Sequence, residues 1–267
     1  MKKIVLFLLL MLPVAVMGQN QNLRQELDSL PQEQRELALS LAENVLVYMI
    51  DSLETAGRYT QALEAIDSVV YKWETVLEQA APAQFYIEKL CILQKIEEWE
   101  DVIKTADKFL EIHKTDLTEG HKALTYSIQG SAFRSIRMYR QAIKCYENAL
   151  RFYNNNGDQA NILCSMASCY KEIDKLSTAL RLYEDGLKKF LEYFNVSRSY
   201  LLRNNIRVDD SYKKAVLGVF AAQLIDMAIY EQEYGSRSAM KEYLLMAVHC
   251  GSDYAKREYD RIFGDYR

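Results

Sequence analysis

Ser168 and Lys171 stand one helical turn apart, and so do Ser211 and Lys214. At that spacing a lysine can activate a serine for acyl transfer, in enzymes that also carry S-D-N and K-T-G elements. Neither string occurs here, and both pairs lie in charged helical sequence. The three histidines, His113, His121 and His249, make no H-E-x-x-H arrangement, whereas zinc needs three or four placed ligands. Glu97-Glu98 and Asp209-Asp210 are adjacent pairs, so on a helix their carboxyls diverge by about 100° instead of facing across a cleft. The ten glycines are isolated and build no phosphate-cradling loop. Cys91, Cys145, Cys164, Cys169 and Cys250 are scattered, with no C-x-x-C spacing. An odd number leaves at least one outside any intrachain disulfide or allows pairing between chains, and the side chains are expected to pack as small hydrophobes. The sequence therefore predicts no catalytic, cofactor-binding or metal-ligating residue, and a protein that is not an enzyme.

Charge and composition narrow the partners. Lys2 and Lys3 precede an apolar run from Ile4 to Met17, and Val16-Met17-Gly18 resembles a cleavage site before polar Gln19-Asn20-Gln21. This pattern predicts a secretory signal peptide over 1–18. The run is shorter than the roughly 20 apolar residues a membrane span needs, and no cysteine follows it to carry lipid. A periplasmic or secreted protein is expected, with no membrane span after cleavage. The net charge is −4 and becomes −6 once Lys2 and Lys3 are removed. Such acidity disfavours nucleic acid and anionic bilayers. The basic group Arg134, Arg137, Arg140 and Lys144, interspersed with acids, is at most a protein-facing patch. Only Pro31 and Pro82 follow the leader, too few turn residues for a sandwich or barrel. The fold class is all-α.

Organisation comes from a recurring phrase, aromatic–x–x–Ala. Tyr59–Ala62, Trp99–Val102, Tyr139–Ala142 and the weaker Leu176–Ala179 end at steps of 40, 40 and 37 residues. Each is preceded by an apolar-periodic helix and a short turn. In the third copy the first helix is expected from about His121 to Ile136 and the second from Tyr139 to Phe152. Tyr139, Ala142, Tyr146, Ala149 and Tyr153 then make one toothed helical edge, alternating aromatic with methyl. Such self-similarity marks stacked repeats that bury their apolar faces against their neighbours.

These units resemble tetratricopeptide repeats. The third carries the signature at Tyr126, Gly130, Phe133, Tyr139, Ala142, Tyr146 and Ala149. The fourth carries it at Ala167, Tyr170, Ala179 and Tyr183, with Gly186 in place of an alanine. The first keeps Leu53, Gly57, Tyr59, Ala62 and Ile66; the second keeps Leu90, Leu93, Trp99, Val102 and Ala106. A fifth, with Met227, Tyr230, Gly235, Ala239, Tyr243 and Ala247, ends like the Sel-like variants. The resemblance implies a right-handed α/α superhelix, a solenoid of about five helix–turn–helix repeats. A polar segment is expected at 19–31, repeats one to four at 32–194, a non-repeat insertion at 195–213, and the fifth repeat with a capping helix at 214–267. The helix over about 32–55 either caps the stack or pairs two copies into a homodimer.

In that family the first helix of each repeat lines the partner-binding side. The corresponding places are Asn44, Val47, Asp51 and Glu54, then Gln84, Ile87, Gln94 and Lys95. The third repeat offers Ser127, Ser131 and Arg134, and the fourth Asn161, Ser168 and Lys171. They do not reproduce the Lys/Asn pattern that clamps chaperone tails. The expected function is an exported, non-enzymatic scaffold that binds a peptide or protein segment. The alternative is a ligand- or glycan-binding helical protein using Tyr193, Phe194 and Tyr200.

Overall fold

A computed structural model describes residues 24–25 and 27–264; the predicted leader at 1–18 lies outside them. Among the described residues the structure is helical and contains no strand. The chain divides into two compact units, 1–136 and 137–267, and the division falls in the turn of the third expected repeat.

The first unit holds α1 (Gln32–Thr55), α2 (Tyr59–Tyr71), a π-helical turn (Lys72–Val76), α3 (Ala83–Lys95), α4 (Trp99–Ile112) and α5 (Glu119–Ser135). Pro31 and Pro82 stand just before α1 and α3, where a missing N–H costs nothing. Consecutive helices pack against one another, and α3 also packs on α1 and on α5. The first helix of each pair therefore touches the first helix of the next. The core runs through Leu46, Ile50, Ile66, Phe85, Leu90, Val102, Ala106 and Phe109. Phe109 is fully buried and stacks on Tyr86, with ring centroids 5.1 Å apart. One face of α1 leaves Leu37, Leu41, Val45 and Tyr48 exposed.

The second unit holds α6 (Tyr139–Leu150), α7 (Asn156–Glu172), α8 (Leu176–Phe194), α9 (Arg198–Leu201), α10 (Ser211–Tyr234), α11 (Arg237–His249) and α12 (Asp253–Phe263). Here too neighbours in sequence pack together, and α7 also packs on α10. The toothed edge of α6 is core: Ala142, Tyr146 and Ala149 are all buried. The segment 195–213 begins where Asn195, at φ 52°, ends α8 in the left-handed region. It then forms the short α9, and α10 starts at Ser211, capped by Asp210, whose Oδ1 accepts from Lys213 N at 2.7 Å.

The turns show a second periodicity that residue types conceal. Gly57, Glu97, Arg137 and Asp174 all have φ between 58° and 71°, each two residues before an aromatic–x–x–Ala phrase or its leucine variant. Where three of these helices end, an N–H reaches back five residues: Arg58 to Leu53 at 2.8 Å, Glu98 to Leu93 at 3.0 Å, and Lys175 to Tyr170 at 2.9 Å. This is the Schellman closure, in which glycine is the favoured left-handed residue. Only the first repeat has glycine there. Replacing Glu97 or Asp174 by glycine should therefore raise unfolding free energy by about 1 kcal/mol each, because a Cβ is unfavourable at positive φ. Chemical denaturation of the single variants measures this, and a loss of stability would contradict it.

Candidate functional site

The predicted partner-facing residues fall in both units. In the first, packing of α3 on α1 brings places about 40 residues apart in sequence onto one face. Lys95 Nζ forms an ion pair with the Glu54 carboxylate. Glu54 is the better shielded partner, its side chain 13% exposed against 53% for Lys95. The ammonium of Lys95 is held above its ordinary pKa, first by the hydrogen bond to Glu54. Gln84 donates to Glu88 one turn along α3. Burial raises the Glu88 carboxyl, and the nearby charges of Glu54 and Asp51 raise it further. Asp51 and Asn44 are exposed, and Asn44 donates from Nδ2 to the Ser40 carbonyl at 2.9 Å. Gln94 is half-buried near the end of α3, and Ser131 and Arg134 are half-buried on α5.

This face of α1 and α3 thus gathers three carboxylates, Asp51, Glu54 and Glu88, around one cation, Lys95. Its local balance is negative. Glu88 was not among the sequence-predicted residues; its signal is its position one turn after Gln84 on the same side of α3. Cys91 lies beside it, with its thiol pushed up by burial and by Glu88 and Glu54, which keeps it from being a ready nucleophile.

In the second unit Asn161 and Lys171 are both half-buried on α7. Asn161 is not open to a partner along its whole side chain, because Gln223 Nε2 on α10 donates to its Oδ1 at 2.9 Å. Ser168 also lies half-buried on α7. Tyr193 and Phe194 are half-buried and meet edge to face, with centroids 5.0 Å apart. Tyr200 stands on α9 and lines a separate polar cleft with Arg203, Asn204 and Arg207. The three aromatics do not form one exposed platform of the kind sugar stacking requires.

His113, His249, Cys164 and Cys250 are absorbed in packing. His249 is buried with Nδ1 2.6 Å from the Leu201 carbonyl, so that nitrogen donates. His113 is buried against Tyr86 and Phe109, with Nδ1 3.0 Å from Asp116 Oδ2. Burial pushes the Cys164 thiol far up and the Cys250 thiol up to about 12. The five cysteines form no disulfide with one another.

No protein-family model matches the sequence. Over 142 residues, 51% of this chain, the sequence is 25% identical to the 43 kDa receptor-associated protein of the synapse from Gallus gallus. The matched stretch covers 34% of that protein, so the chain spans about a third of the relative it resembles.

Proposed function

We propose that this chain is an exported, non-enzymatic scaffold of tetratricopeptide-like repeats that holds a peptide or protein segment against its first helices. The observation carrying this reading is the meeting of Asp51, Glu54, Gln84 and Lys95 on one face by the packing of α1 on α3. Helices that only filled space would have no need of a clustered, unevenly charged surface there. The local likeness to a protein whose name records association with a receptor supports a role through protein contact. With three carboxylates to one ammonium, the face favours a basic segment, since complementary charge steers association and rejects like-charged partners. The exposed α1 stripe of Leu37, Leu41, Val45 and Tyr48 is the surface through which two copies would pair. The glycan alternative has less support, because Tyr193 and Phe194 are half-buried and packed on each other while Tyr200 is exposed.

Selection of random peptides on the full chain tests the proposal. Lys- and Arg-rich peptides are expected, and Asp51→Lys should weaken them about tenfold, because it removes an exposed carboxylate and adds a like charge. Asp51 is exposed, so the melting temperature of this variant should stay put. Selected peptides that are acidic, or that ignore Asp51→Lys, would sink the reading.

A further inference from the structure

The second unit contains a cavity of about 190 Å³ between α7, α8 and α10. This is large enough for one aromatic ring; a dry apolar cavity of roughly 150 Å³ already takes benzene. Phe190 and Phe220, stacked on each other, form its wall with Val216 and Val219. Gly157 also lines it, and a Cβ there would come 3.2 Å from the Tyr193 ring, so the backbone approaches that ring closely.

The polar side chains in the lining are Asp158, Asn161, Tyr212 and Gln223. Gln223 lines the cavity and is only 9% exposed. Its Nε2 faces two oxygens, Asn161 Oδ1 at 2.9 Å and the Asn161 carbonyl at 3.5 Å, which fixes the orientation of the amide. Its Oε1 is buried and has no hydrogen-bond partner. A buried acceptor left unmet costs about 1–3 kcal/mol, so a donor arriving from outside would be favoured. Asp158, one helical turn before Asn161 on α7, also lines the cavity. It accepts from Tyr212 Oη at 2.9 Å and from Asn155 Nδ2, leaving acceptor capacity on both carboxylate oxygens. Among the described residues, no lysine, arginine or histidine lines the cavity.

Two helix N-termini lie close by, each worth about half a positive charge. They are outweighed by the full negative charges of Asp158 and Asp210, both near enough to Tyr193 to push its phenol pKa upward after burial has done so. Lys213 and Lys214, between the lining residues Tyr212 and Ala215 on α10, are exposed, and Lys189 on α8 donates to Asn156 Oδ1 at 3.0 Å. Asp158 is the charged side chain in the lining itself, so a cation is favoured over an anion.

We infer that this cavity is a binding site for a small organic ammonium with a single-ring apolar body, of the arylalkylamine class. The ammonium meets the Asp158 carboxylate and supplies the donor that Gln223 Oε1 lacks. The ring lies against Phe190, Phe220, Val216 and Val219, and the tyrosine face of Tyr212 adds cation–π attraction. This site is independent of the peptide-binding face on α1 and α3.

The test titrates the full chain with 2-phenylethylammonium, 2-phenylethanol and phenylacetate, read by amide chemical-shift changes. The ammonium should saturate, the alcohol should bind about tenfold more weakly, and the carboxylate should not saturate. Asp158→Asn should bring the ammonium down to the level of the alcohol. Ala215→Phe, at an exposed position on the cavity rim, should abolish binding of both without changing the melting temperature. Equal binding of the ammonium and the alcohol by the unaltered chain would overturn the assignment. So would the absence of saturable ammonium binding at millimolar concentration, which would mean the cavity holds only water.

Discussion

Phe109→Ala should lower the unfolding free energy of the first unit by about 3–5 kcal/mol, the range for removing a fully buried phenylalanine. Phe109 has no exposed surface, and its ring packs on Tyr86 and His113 at centroid distances of 5.1 and 5.2 Å. The substitution thus loses the transfer energy of the ring, two aromatic contacts, and the packing of a cavity the helices cannot easily close. Tyr86 also donates its hydroxyl to Glu74, which in turn pairs with Lys108 at 3.0 Å. A hole at Phe109 therefore unsettles a hydrogen-bonded group as well as a hydrophobic one. Calorimetry of the variant checks this, and a change below about 1 kcal/mol would show that the site collapses freely.

Gly186→Leu is the second large effect, at about 3 kcal/mol or more of destabilisation. Two tendencies oppose each other at this helical position. Glycine inside a helix costs up to about 1 kcal/mol relative to alanine, so propensity alone argues for substitution. Packing argues the other way: a Cβ on Gly186 would sit 2.5 Å from Cys164 Sγ and 3.2 Å from the Ala160 carbonyl oxygen. The backbone oxygen cannot move without shifting α7, and Cys164 is buried, so the clash wins. Even Gly186→Ala should be destabilising by about 1–2 kcal/mol. Combining it with Cys164→Ala should recover most of the loss, because the nearer obstacle is gone. A double-mutant cycle by denaturation would expose the coupling, and simple additivity would contradict the close-approach account.

Gly186 also shows where sequence reading stops. In the repeat pattern it stands where an alanine is usual, and it reads as an imperfect copy. In the structure it is the residue that lets α7 and α8 come together. The aromatic–x–x–Ala phrase was legible because the second helices bury one face, so Ala142, Tyr146 and Ala149 recur at helical spacing. The first helices carry a fainter pattern for a physical reason. α5 buries Ala123, Thr125, Ile128, Gln129, Gly130 and Ala132, which do not fall on a single stripe. Helices touched from more than one side lose the clean alternation that marks an amphipathic one. The left-handed residues Glu97 and Arg137 were likewise hidden, since neither is of a type that announces positive φ, whereas aspartate, as at Asp174, is enriched there.

The site was legible only in part. The family register placed Asp51, Glu54, Gln84 and Lys95 on first helices, and α1 packing on α3 brings them to one face. The Lys95–Glu54 ion pair depends on the rotation of two helices about their axes, which no spacing along the chain encodes. The Gln223–Asn161 bond is a contact across 62 residues, between α7 and α10. Nothing local marks either partner for the other. The acidic balance of the α1–α3 face emerges only when Glu88 is counted with residues from the neighbouring helix.

The central claim is that partner contact belongs to the first helices while the second helices serve packing. Hydrogen–deuterium exchange on the full chain, with and without a selected basic peptide, tests it most directly. Protection gained in α1 and α3, with α2 and α4 unchanged, is the result predicted. Protection concentrated on α2 and α4 would contradict it.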